Sequence, residues 1–316
     1  MKRRGEQSMV PKAEFTSYYG RPVVKEPVWQ APEVPGYLFL GGLAGASSVL
    51  AAGAQVRACP DLARGAKVGA VAAISLSAAA LIADLGRPER FLNMLRVFKP
   101  TSPMSVGSWL LAAYGPAAGA AAMSAVTGIL PAAGTAATAA AAALGCGVST
   151  YTAALICDTA VPAWHNGYRE MPYLFAGSAA SAAGGLGLLA APCAQAGPAR
   201  RLAVLGAAAE ITSAQLLTRR IGMTAEPYRT GTAGLMFHAS EVATACALGV
   251  AFIGRRHRAA TALAGATLLA ASATTRLAIF GAGRVSARDP KYTIVPQRER
   301  RTQRSAAQAD VHSARQ

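Results

Sequence analysis

The sequence predicts an all-α membrane protein of eight transmembrane helices, arranged as two four-helix halves, with a short amphipathic helix in the loop between helices two and three. Three observations predict it. Hydrophobic residues make up 53% of the 316 and charged residues only 15%, where a soluble chain carries about 25% charge. Several apolar runs exceed the roughly 18 residues that mark a membrane-spanning helix. The runs are written mainly in Ala, with 32 Gly in the chain, and small residues let helices approach closely in lipid.

In chain order, residues 1–33 read as a polar, basic cytoplasmic tail, and 34–283 as the transmembrane domain. Helix one is expected over 34–56, helix two over 66–84, helix three over 105–128 and helix four over 132–157. Helices five to eight are expected at 172–191, 199–218, 232–254 and 259–281. Residues 284–316 are a basic tail without an apolar period, expected to be partly disordered. Between helices two and three, Gly86 and Pro88 break the preceding helix, and Pro100 and Pro103 end the segment Glu89–Phe98. Phe91, Met94, Leu95 and Phe98 fall at i, i+3, i+4 and i+7. That spacing predicts an amphipathic helix over 89–98 at the membrane surface.

Eight crossings place both termini on one side. The tails and loops on that side hold 22 Lys and Arg against eight on the other, so both termini are expected in the cytoplasm. An internal repeat supports the two halves: Tyr37–Leu50 reads YLFLGGLAGASSVL and Tyr173–Leu186 reads YLFAGSAASAAGGL. The net charge of +16 lies at the ends and in loops, without the basic face that nucleic-acid binding needs. It suits anionic lipid and positive-inside anchoring. None of the five cysteines shares a close ligand spacing, so neither an iron–sulfur cluster nor another metal centre is expected in this chain. His238 is the one histidine within a predicted span. A membrane haem commonly takes two axial histidines, so no haem is expected either.

Ionisable side chains are costly in a bilayer, roughly 2.5–3.5 kcal/mol each, and those that occur there are candidates for function. Here they are Glu210, His238, Glu241 and Arg276, with Asp84 and Asp158 at helix ends. His238 and Glu241 share one face of helix seven. Arg276 and Glu210 on neighbouring helices are expected to reach them, as a chain of protonatable groups or a lining for a quinone head. A structural ion pair, such as Glu241–Arg276, accounts for the same residues.

The stretch Asp84–Trp109, DLGRPERFLNMLRVFKPTSPMSVGSW, resembles the signature loop of the NrfD/polysulfide reductase membrane-subunit family, and Tyr151–Trp164, YTAALICDTAVPAW, resembles that family's pattern at the end of the fourth helix. The resemblance spans about residues 30–285. It implies an integral anchor subunit of a respiratory oxidoreductase in the bacterial cytoplasmic membrane, with no catalytic residue of its own. Its partners would be a four-cluster ferredoxin-like iron–sulfur subunit and a molybdopterin-type catalytic subunit. Menaquinone or ubiquinone would be the substrate. The resemblance also implies a quinone site that uses a Tyr of the fourth helix, here Tyr151 with Asp158 two turns on. In helix one, where relatives carry Asn and His, this chain has residues such as Glu33, Val34 and Tyr37. Tyr37 can supply a donor there, or act as an interfacial anchor. Asp84 and Arg87 then read as members of a proton route with Glu210, His238, Glu241 and Arg276. The alternative from a different class is a secondary transporter or ion-translocating module, served by the same buried charges and by the repeat.

Overall fold

A computed structural model describes residues 23–27, 29, 31–84 and 93–313, with side chains as far as 302. Among the described residues all regular structure is helical. Eight long helices succeed one another: α1 (Glu33–Val56), α2 (Pro60–Asp84), α3 (Pro103–Thr127), α4 (Pro131–Cys157), α5 (Met171–Ala190), α6 (Gly197–Arg220), α7 (Gly231–Ile253) and α8 (Arg258–Arg288). A ninth, α9 (Lys291–Ser313), closes the chain. Short helical turns, Pro162–His165 and Glu226–Arg229, lie in the connections after α4 and α6.

Seven of the long helices are long and apolar enough to cross a membrane: α1 to α5, α7 and α8. The expected sixth crossing, α6, is not among them, because it carries Arg200, Arg201, Glu210, Arg219 and Arg220. It nonetheless runs antiparallel along α5. A Cβ at Gly177 would meet backbone of Gly206 and Ala209, and one at Gly184 would meet Ala199 and Ala203.

Proline starts many of these helices. Pro60, Pro103, Pro131, Pro172 and Pro198 all stand in first turns, where the missing N–H costs nothing. Gly128 ends α3 at φ 74°, a conformation that favours glycine. Two ends are closed by distant side chains. The Gln195 side-chain oxygen accepts from the backbone N–H of Asp61 at 2.9 Å, so α2 begins at Pro60 rather than near 66. The Arg258 guanidinium donates to the Leu188 and Ala191 carbonyls at 2.6 and 3.0 Å and to that of Leu189, which satisfies the end of α5.

α1 packs most closely on α2 and α4, and α3 on α4. In the same way α5 packs on α6 and α8, and α7 on α8. Glycine makes the tightest approaches: a Cβ at Gly45 would strike the Gly145 carbonyl, and one at Gly185 that of Gly265. α1 and α5 meet in the middle, where Gly42 faces Ala179. The core differs between the two ends of the bundle. Toward the end where α1 starts it is aromatic, with Tyr37, Trp164, Phe175, Tyr228, Phe237 and Phe280. Toward the other end it is alanine with Leu50, Leu62, Leu188 and Leu268. Met123, Leu205, Leu235, Val242 and Ile253 face outward, as lipid-facing residues do.

Two expected segments differ. Residues 89–92 of the predicted surface helix lie outside the described residues. From Met94 the chain is turn, bend and then irregular, so the helix does not run on to Phe98. Pro100 and Pro103 disfavour helix before them, and Phe98 instead packs edge-on against Trp109 at 6.3 Å. The stretch read as a basic tail begins inside α8, which continues to Arg288, and is helical again from Lys291.

Candidate functional site

A buried polar group lies among α5, α6, α7 and α8. Ser272, Thr275 and Arg276 share one face of α8 through i+3 and i+4 spacing. The glycine contacts between α5 and α6 bring Glu210 in beside them. Arg276 is 1% exposed and Glu210 4%. Thr275 donates to Glu210 Oε1 at 2.9 Å and lies 3.1 Å from the Ser240 hydroxyl. Ser178 and Ser272 bond each other at 2.8 Å. Arg276 Nη2 donates to the Phe175 carbonyl at 2.9 Å, and the guanidinium carbon lies 3.9 Å from the centre of the Phe175 ring, a cation–π contact. Arg276 Nε and Nη1 and Glu210 Oε2 have no hydrogen-bond partner. No ion pair within 4.0 Å joins Glu210 and Arg276. A carboxyl and a guanidinium thus share an interior without direct contact, and a polar group unpaired at such depth costs far more than one at the surface.

His238 and Glu241 do not join this group. They pair with each other on α7, with 3.3 Å between Nδ1 and Oε2. The His238 side chain is 57% exposed and that of Glu241 23%. The Glu241–Arg276 pair allowed by the sequence is therefore replaced by an outward His238–Glu241 pair. α7 turns Ser240 inward, and Glu241 one residue later lies round the helix toward the flank.

Of the tyrosines, Tyr151 is half-buried on α4 with its ring against Gly107 of α3, where any side chain would displace it. Its hydroxyl is buried and has no partner, and neither has that of Thr152. Tyr37 is buried in the aromatic cluster against which Tyr151 packs, and its carbonyl accepts from Ser77 at 3.1 Å. Asp158 lies just past the end of α4, exposed, seven residues and so about 10 Å along the axis from Tyr151. Asp84 ends α2, half-buried. Arg87 lies outside the described residues.

The end of the bundle that carries Asp158 and the start of α1 is held by ion pairs that the sequence did not suggest. Arg220 grips Glu170 through two nitrogens and also donates to the Asn166 carbonyl at 2.6 Å. Glu26 accepts from Arg284 at 2.7 Å and from Arg288 at 3.0 Å. Those two arginines hold its carboxyl below the usual carboxylate range, Arg288 first. Trp29 stacks on Trp164 at 5.8 Å, and Trp164 donates to the Ile279 carbonyl at 2.8 Å. Tyr228 donates to the Ala163 carbonyl at 3.2 Å, and burial pushes its phenol well above its ordinary value. At the opposite end Lys67, near the expected start of helix two, lies seven residues inside α2 and donates to Gln55 at 2.8 Å. No pattern in the sequence brings Gln55 to it.

A helical bundle with seven apolar, membrane-length helices and charged groups sealed in its interior is a multi-pass membrane protein. The family model described as Polysulphide reductase, NrfD matches residues 23–255, and the chain belongs to that family. Its members are membrane subunits of polysulphide reductase-like complexes with iron–sulfur and molybdenum catalytic subunits. No curated protein matches the chain.

Proposed function

We propose that this chain passes electrons between a four-cluster iron–sulfur partner and a membrane quinone, menaquinone or ubiquinone, in a complex whose catalytic subunit is of the molybdopterin type. It crosses the bacterial plasma membrane eight times, in two four-helix halves, with both termini cytoplasmic. The sixth crossing is α6, in support of which stands its antiparallel run along α5. The matched packing of α1–α4 and α5–α8 supports the halves.

The observation that carries the reading is the Tyr151 hydroxyl, buried and without a partner. A phenol donor in that state fits the carbonyl oxygen of a quinone head. The quinone supplies the two-electron, two-proton chemistry. Tyr151 orients it, and Gly107 keeps the tyrosine ring flat against α3. Thr152 offers a second unpartnered hydroxyl, and Asp158 and Asp84 are the carboxyl groups of the proposed proton route at the membrane boundary. The test is Tyr151→Phe in the purified complex. Losing one hydrogen bond of about 1.4 kcal/mol lowers quinone-linked turnover about tenfold, with thermal stability and turnover of a soluble acceptor unchanged. Undiminished quinone turnover in the assembled complex sinks the site.

A second reading, an ion-translocating module, is favoured by the unpaired Glu210 and Arg276. It wins if the chain alone, reconstituted without an electron donor, moves protons or solute across the membrane.

A further inference from the structure

α7 lies at the edge of the bundle and packs chiefly on α8. Its outward face is a single stripe. Leu235, His238, Val242, Ala245, Gly249 and Phe252 are all exposed, and they recur at alternating steps of three and four residues. That is the spacing of a seam between two helices crossing at a shallow angle. Ala245 and Gly249 sit four apart on it, and a Cβ built on Gly249 would meet no atom. Small residues so placed let a second helix approach closely. Lipid alone would cover such a face if it were apolar throughout.

It is not apolar throughout. His238 and Glu241 stand about 10 and 15 Å along α7 from Gly231, within the roughly 30 Å of hydrocarbon that a bilayer offers. The two bond each other through Nδ1 and Oε2. The ring Nε2 and the carboxyl Oε1 make no hydrogen bond among the described residues, and most of the His238 side chain is exposed. Hydrocarbon supplies neither donor nor acceptor, so an imidazole and a carboxyl turned outward at this depth call for a protein surface.

The surface that answers them is the stripe itself. Two copies of one membrane chain share an orientation in the bilayer. A two-fold axis along the membrane normal therefore sets the same residues at the same depth. Each copy then offers one imidazole and one carboxyl to the other, in equal number and at matching height. Ala245 and Gly249 likewise face small residues. An unrelated helix would have to carry the same acid–base pair at the same two depths.

We propose that the outward face of α7 is the contact between two copies of this chain, with the His238 ring of each copy hydrogen-bonded to Glu241 of the other. Neither residue is used by the quinone site at Tyr151, so the contact and that site fail independently.

The test is thiol cross-linking of the assembled complex in native membranes. Ala245→Cys places a thiol on the stripe, with the exposed Cys146 and Cys246 replaced by Ser. Oxidation gives a covalent dimer of the chain. Cys146 on α4, kept in a chain with Ala245 unchanged and Cys246 replaced, gives none. Gly249→Leu, built where a Cβ meets no atom of its own bundle, lowers the dimer yield about tenfold by holding the helices apart. His238→Glu also lowers it, by setting carboxyls against carboxyls, and adding Glu241→His restores it. Each variant keeps the helical circular dichroism of the parent, which separates a lost contact from lost folding. No dimer through Ala245→Cys, a cross-linked product that contains a different subunit, an equal yield from Cys146, or full yield with Gly249→Leu overturns the proposal.

Discussion

Around Tyr114 and around Arg276 the bundle buries polar groups to the same depth and treats them differently. Tyr114, fully buried on α3, donates to the Ala44 carbonyl at 2.6 Å and lies 2.8 Å from the Ser48 hydroxyl. All its polar atoms are answered, by neutral groups on one neighbouring helix. Arg276 has one bond to a carbonyl, a ring face, and two nitrogens with nothing to meet. The first arrangement joins two helices and asks for nothing more. The second maintains charge in the interior at a cost in stability, which is the mark of a group kept for work. Tyr151 sides with Arg276: same residue type as Tyr114, same four helices, but an unanswered hydroxyl.

The largest effect that tests this contrast is Arg276→Met. It takes the donor from the buried Phe175 carbonyl and the charged neighbour from Glu210, and lowers stability by about 1–3 kcal/mol, read as a fall in Tm of the purified chain. Adding Glu210→Gln recovers part of the loss. The stable double variant then lacks quinone-linked turnover or its proton coupling. Full activity in that double variant would place the pair with the structural groups and erase the difference. Next comes Tyr114→Phe, which costs about 1–2 kcal/mol through the bonds lost and leaves turnover per folded complex unchanged. The contrast with Tyr151 breaks if Tyr114→Phe slows turnover as much as Tyr151→Phe.

The smallest effect lies at the surface, in Glu26. Its arginine partners depress the folded-state carboxyl below its ordinary value of 4.5. The unfolded chain therefore takes up the proton first as pH falls. The stabilisation is complete above the ordinary value and drains away through and below it. The Tm difference between the chain and its Glu26→Gln variant is about 1–2 °C at pH 6 and shrinks progressively as the pH falls below 4.5. A difference that does not shrink as the pH falls below 4.5 removes the charge pairing as its cause.

The long apolar runs made the helices legible, because hydrocarbon demands continuous apolar length. They left the facing of each helix illegible. In a membrane bundle both faces are apolar, so no period separates inside from outside. That is why His238 and Glu241, each one residue on from the inward Phe237 and Ser240, read from sequence as interior and lie on the flank. Glu210 and Arg276 were findable as charges in apolar runs, whereas their separation depends on how α5 and α6 close over glycine. Partners far apart in the chain were beyond reach: Gln195 at the start of α2, Gln55 on Lys67, Glu26 on Arg284 and Arg288. Each rests on a side chain delivered by another element, which local spacing does not encode.

The indole of Trp164 ties the order of synthesis to the order of packing. It lies between the fourth and fifth long helices, yet its N–H acceptor is Ile279, and its ring is sandwiched with Trp29 and Phe280. A residue made midway through synthesis is thus completed by both an early segment and the last long helix. A nascent chain halted before 279 has Trp29 against this indole but lacks the carbonyl that takes its N–H and the ring on its other side.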